Sequence, residues 1–123
     1  MRLRKKWYAR PEMEADEKSV IEPWGMKGMW KDSFKNENPI HLELGCGKGL
    51  FISTLAQKNK DINYVAIDLK DEVLIFVLRK INEMGIGNVR LIPMFIERVD
   101  EIFAAGEVSK IYINFCNPWP KVS

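Results

Sequence analysis

Residues 39–49 read PIHLELGCGKG, and residues 50–58 continue LFISTLAQK. Ile40, Leu42 and Leu44 alternate with His41 and Glu43, the two-residue period of a strand with one face turned inward. Gly45, Gly47 and Gly49 then interrupt the pattern, and apolar residues return at helical spacing. The order is strand, glycine loop, helix. Glycines at such a turn let the backbone fold back sharply and let a ligand come close. The helix start that follows offers N–H groups without intrahelical partners and a partial positive charge.

The spacing separates this loop from the usual dinucleotide site. G-x-G-x-x-G would place its third glycine at position 50, which is Leu50. Glu43, two residues before the first glycine, would repel a pyrophosphate and attract a cation. S-adenosylmethionine (SAM), with an ammonium and a sulfonium, suits that carboxylate better. The plain alternative is a tight strand-to-helix turn with a solvated glutamate. A second marker is INYVAIDL, Ile62–Leu69, which reads as a buried strand ending at Asp68. Asp68 stands 19 residues after Gly49, close to the roughly 20-residue interval at which a second-strand acid meets ribose hydroxyls. Its own alternative is a helix N-cap or turn aspartate. Two acids and three glycines at these intervals point together to a nucleoside-containing ligand.

With 123 residues, the chain is long enough for one domain with a real core. A net charge of +2 is too small by itself to argue for nucleic acid. Its distribution says more, because Arg2, Arg4, Lys5, Lys6 and Arg10 fall in the first ten residues with no acid among them. Cys46 and Cys116 do not make a disulfide framework, and reduced thiols in a cytoplasmic protein are the simpler reading. No apolar run is long enough to span a membrane, and the basic start lacks the apolar run of a secretory signal. No metal-ligand pattern is evident.

Residues 1–38 read as a basic and aromatic N-terminal arm, and residues 39–123 as a SAM-binding α/β domain. In the arm, MRLRKKWYAR is followed by an interruption at Pro11 and then by EMEADEKSV, which suggests a short acidic helix. Basic residues beside Trp7 and Tyr8 suit phosphates and bases; the alternative is a solvated tail with tryptophans anchored on the domain. From Ile40 the pattern is β-α-β-α-β-α-β. Strands are expected at about 40–44, 62–68, 88–93 and 110–115, and helices at about 48–58, 71–84 and 99–104. Such alternation implies a parallel, doubly wound sheet, a partial Rossmann-like fold of about four strands with flanking helices. Ligands then lie at the carboxyl ends of the strands. Asn117 follows the fourth strand in NFCNPWPK, where Pro118 and Pro120 stiffen the exit.

ELGCGKG, AIDL, the Gly106–Glu107–Val108 step before KIYINF, and NPWPK together resemble the bacterial tRNA (guanine-N7)-methyltransferases, SAM-dependent class I methyltransferases. KKWYARP resembles the family's N-terminus as well. The resemblance covers essentially the whole chain, and the proline-tryptophan segment is its most specific part. It implies that Glu43, Gly45 and Gly47 hold the methionine part of SAM and that Asp68, where the family often has Glu, holds the ribose. Asn117, in place of the family's Asp before Pro-Trp, is implied at the cofactor and target base. Lys121 is implied to bind the tRNA substrate. Phe95 stands where the family commonly has Asp or Asn near the adenine; it cannot accept the amino proton but can stack.

The family continues past this segment with a basic, His-containing run and further strands. The sequence is therefore expected to be a truncated member that lacks the C-terminal strands. The function expected is methyl transfer from SAM to N7 of a variable-loop guanine in tRNA. The alternative is a non-catalytic half-domain that binds SAM or a partner, paired as a homodimer or with a complementing C-terminal fragment. A nicotinamide-binding dehydrogenase fragment is a third reading, opposed by Leu50 and Glu43. His41, on a strand before the loop, reads as structural.

Overall fold

Ile40–Leu44 forms β1, the strand around which the rest is laid. The computed structural model describes residues 6–45 and 50–113. β2 (Asn63–Asp68) pairs with one side of β1 and β4 (Lys110–Ile113) with the other, while β3 (Val89–Pro93) lies beyond β2. Every pairing is parallel and the order is β3-β2-β1-β4. This is the α/β architecture that the alternating pattern predicts.

β2 is apolar almost throughout because both of its faces are covered. On one face Tyr64 and Ala66 pack with Ile52 and Ala56 of α3 (Leu50–Lys58) and with Leu74, Leu78 and Ile81 of α4 (Asp71–Glu83). On the other, Leu42, Val65 and Ile67 meet Trp30, Ile102 and Phe103. Asn88, expected as the start of the third strand, instead closes the end of α3. Its amide donates to the carbonyls of Ala56, Asn59 and Ile62 at 3.2, 3.1 and 2.8 Å. The helix expected near 99–104 is a 3-10 segment, Ile96–Glu101. The expected end of the fourth strand, residues 114–115, lies outside the described residues.

The residues before Pro39 contribute to both layers. α1 (Ala9–Glu14) buries Ala9 and Met13 against α4. Pro11 does not interrupt the helix: it sits in the first turn, where a missing N–H leaves no bond unmade. Arg10 is bidentate to Asp71 at the start of α4, with both bonds at 2.9 Å. Lys18–Val20 then runs along β3. The Val20 N–H donates to the Leu91 carbonyl and the Leu91 N–H to the Lys18 carbonyl, each at 2.8 Å. That pairing covers the sheet edge which β3 would otherwise leave open. At the opposite edge Ile111 and Ile113 of β4 are more than half exposed.

α2 (Trp30–Phe34) is held by two polar anchors. Trp30 is fully buried, and its indole N–H donates to the Ile102 carbonyl at 2.7 Å. Arg90, largely buried, donates to the Ser33 hydroxyl and carbonyl and to the carbonyls of Gly87 and Val89, with its guanidinium 4.6 Å from the Phe34 ring centroid. α2 ends at Lys35 with φ +62°, in the left-handed region where glycine is the usual residue. The Glu107 carboxylate closes the same corner. It accepts from the N–H groups of Gly28, Trp30 and Ala104 at 2.9, 3.1 and 2.8 Å. Among the described residues no helix is long and apolar enough to cross a membrane.

Candidate functional site

The chain leaves β1 for β2 and β3 on one side and returns to place β4 on the other, so the winding reverses at β1. In a sheet of this type the crevice for a ligand opens outside the carboxyl ends of the strands at that reversal. Gly45 lies there. Its N–H donates to the Ile67 carbonyl at 2.8 Å, and its φ of +86° is a backbone shape that a side chain would strain.

Leu44 is opposite Ile67 in the β1–β2 register, so the next pair along is Gly45 and Asp68. The structure thus brings these two expected site residues level at adjoining strand ends. Asp68 is partly exposed. Its carboxylate accepts the Lys70 N–H at 3.0 Å, and its carbonyl accepts the Met94 N–H at 3.1 Å, which ties the ends of β2 and β3 together. The turn role anticipated as an alternative is therefore present, on a carboxylate that still reaches the surface.

Glu43 stands one pleat behind Gly45, between Ala66 and Tyr112, and is fully buried. The solvated-glutamate reading is thereby set aside. Of the two acids, Asp68 is the one with exposed surface.

Two large apolar side chains follow the strands at this end of the sheet. Leu69 and Phe95, just beyond β2 and β3, are 50% and 56% exposed. An exposed aromatic face can take a nucleobase by stacking. Phe95 was visible in the sequence; Leu69 was missed, and its only signal was an apolar residue after the strand-ending acid.

His41 lies toward the other end of β1, about 13 Å from Gly45 at about 3.3 Å per residue. Its ring packs against Tyr64 and Tyr112, with centroids 5.6 and 6.2 Å away. Burial first, and then the charge of Lys110, hold its pKa below the ordinary value. This environment keeps the imidazole neutral and remote from the strand ends. Gly47, Asn117 and Lys121, the remaining expected site residues, lie outside the described residues, as do Cys46 and Cys116.

Comparison with known proteins adds the family. Residues 37–123 match the family model described as "Putative methyltransferase". A protein of Clostridium tetani (strain Massachusetts / E88) named tRNA (guanine-N(7)-)-methyltransferase is 60% identical over 122 residues, which is 99% of this chain and 58% of that protein. Proteins of the same name from Clostridium kluyveri and Clostridium acetobutylicum are 60% and 56% identical over 121 residues, 98% of this chain and 57% of theirs. The chain thus spans less than three-fifths of the length of these relatives. With the model matched from just before β1 through residue 123, the chain belongs to this methyltransferase family.

Proposed function

We propose that the chain binds S-adenosylmethionine and serves transfer of its methyl group to N7 of a guanine in tRNA. The observation that carries this reading is the meeting of Gly45 and Asp68 at adjoining strand ends at the reversal point of the sheet, one pleat beyond the buried Glu43. The name carried by relatives at 56–60% identity supports the substrate.

The described residues fit the cofactor. Asp68 offers a partly exposed carboxylate to ribose hydroxyls, Gly45 a backbone without a side chain, and Phe95 and Leu69 apolar surface for the adenine. An ionised Glu43, one pleat behind Gly45, would favour an ammonium and a sulfonium. By resemblance, Gly47 would share the loop's role, Asn117 would place the guanine at the cofactor, and Lys121 would hold a tRNA phosphate.

When bound, SAM supplies a methyl group already activated on sulfur. Guanine N7 has a free lone pair and no proton, so the protein needs no general base. A neutral His41 remote from the strand ends fits that requirement. The work left to the side chains is positioning of nucleophile, methyl carbon and leaving sulfur in line.

Isothermal titration with SAM tests the reading. The full chain should bind, and Asp68→Asn should weaken binding about tenfold or more, as expected for loss of a charged hydrogen-bond acceptor. A folded chain that binds no SAM, or one indifferent to Asp68→Asn, would overturn the assignment. Methyl transfer to unmodified tRNA then separates enzyme from binding module.

β4, last in the sheet among the described residues and with Ile111 and Ile113 exposed, favours a second reading, a binding module whose sheet is extended by a strand from a second copy or another polypeptide. Concentration-dependent association in sedimentation, abolished by Ile111→Lys, would favour the homodimer form.

A further inference from the structure

We propose that Lys6–Arg10 and the outer face of α4 form a stacking surface for unpaired nucleotides of RNA. Trp7 is 83% exposed, more than any other large apolar residue described. Its neighbours nevertheless fix the segment. The Lys6 ammonium lies 5.1 Å from the Phe76 ring centroid, the Arg79 guanidinium 5.0 Å from that of Tyr8, and Arg10 is paired with Asp71. Trp7 therefore projects from an anchored backbone, with an edge contact to Tyr8 at 5.9 Å. Such exposure forgoes the burial an indole normally gains, about 1.5–3 kcal/mol for a large side chain.

Phe76, on the second turn of α4, is half exposed beside the Lys6 ammonium. Exposed rings with cations next to them are the chemistry that holds single strands, bases on the rings and phosphates on the charges. The surface is small and mixed in sign, because Glu12 pairs with Arg79 and Asp71 with Arg10. Two rings interspersed with carboxylates suit an anionic bilayer poorly. A single strand meets such a surface one phosphate at a time and can follow its cations.

The position is also apt. Phe76 is five residues beyond Asp71, about 7.5 Å along the helix at about 1.5 Å per residue. Asp71 itself follows Asp68 by three residues. RNA held here would lie beside the crevice at the strand ends. The inference deepens the proposed tRNA substrate and rests on that reading.

The test is fluorescence anisotropy of a short labelled oligouridylate with the full chain, without SAM. A blunt duplex RNA and phosphatidylserine vesicles are measured in parallel. Trp7→Ala should weaken oligouridylate binding about tenfold, within the range for loss of one base–aromatic stack. Trp7→Phe should retain most of the affinity, and duplex binding should change little. Because the indole is exposed, both variants should keep the parent Tm. Unchanged oligouridylate affinity in Trp7→Ala would overturn the proposal. So would equal losses on duplex and single strand, or a loss confined to vesicles, which would reassign the surface to membranes. Methyl-transfer activity does not enter the readout, so failure of the enzymatic reading stays distinguishable.

Discussion

Glu107 makes a quantitative test of how the N-terminal residues are joined to the sheet. Its carboxylate receives three backbone N–H groups, from Gly28 and Trp30 in one segment and Ala104 in another. The bonds to Trp30 and Ala104 are partly buried, whereas that to Gly28 is exposed and contributes little. At about 1.5 kcal/mol for each partly buried bond to a charged acceptor, Glu107→Ala should remove about 3 kcal/mol. An unfolding entropy of about 2.1 cal/mol/K per residue gives about 0.26 kcal/mol/K for this length, so Tm should fall by about 12 °C. Glu107→Gln is the discriminating variant. One oxygen, Oε1, serves both Gly28 and Ala104, and an amide carbonyl can keep those bonds. The amide nitrogen would then face the Trp30 N–H, so this variant should lose about half as much. Urea unfolding followed by tryptophan fluorescence reads both, because Trp30 is buried at this corner. An effect of Glu107→Ala below about 0.5 kcal/mol would refute the reasoning, as would a glutamine variant as unstable as the alanine one.

Two further outcomes follow from local electrostatics and backbone shape. His41 is held below its ordinary pKa of 6.5, so the unfolded chain takes up a proton first as pH falls. Stability should be full above 6.5, decline below it and level off once the folded-state value is passed; His41→Gln should flatten that decline in urea midpoints taken across the window. Lys35 occupies the left-handed region at φ +62°, so Lys35→Gly should raise stability by about 0.5–1 kcal/mol, and a lower urea midpoint would contradict that account.

The strands and α4 were legible because their apolar periods are long enough to specify a face. Val73, Leu74, Val77, Leu78 and Ile81 could hardly belong to anything but an amphipathic helix. Gly45 and Asp68 were legible for another reason, the interval between a glycine turn and the next strand's acid. α2 was not expected, since five residues, WKDSF, are too few for a period to show. α1 was expected to start after Pro11, yet proline suits a first turn and the helix begins at Ala9. Glu107 was noticed only as part of a resemblance. Two of its three partners stand 77 and 79 residues earlier, and only the folded chain brings them to it. The exposure of Trp7 was equally hidden, because a tryptophan in sequence looks the same whether it anchors or projects.

The cover over the β3 edge has a consequence for synthesis. Lys18–Val20 leaves the ribosome long before Leu91, and Arg10 precedes its partner Asp71 by 61 residues. The nascent chain therefore carries the guard for its sheet edge in advance, idle until the third strand has emerged. Once it has, a cover is already on the same molecule, at a local concentration no neighbouring chain can match. The interval in which one growing chain could pair with the edge of another is shortened, and the order of translation itself becomes a safeguard against aggregation.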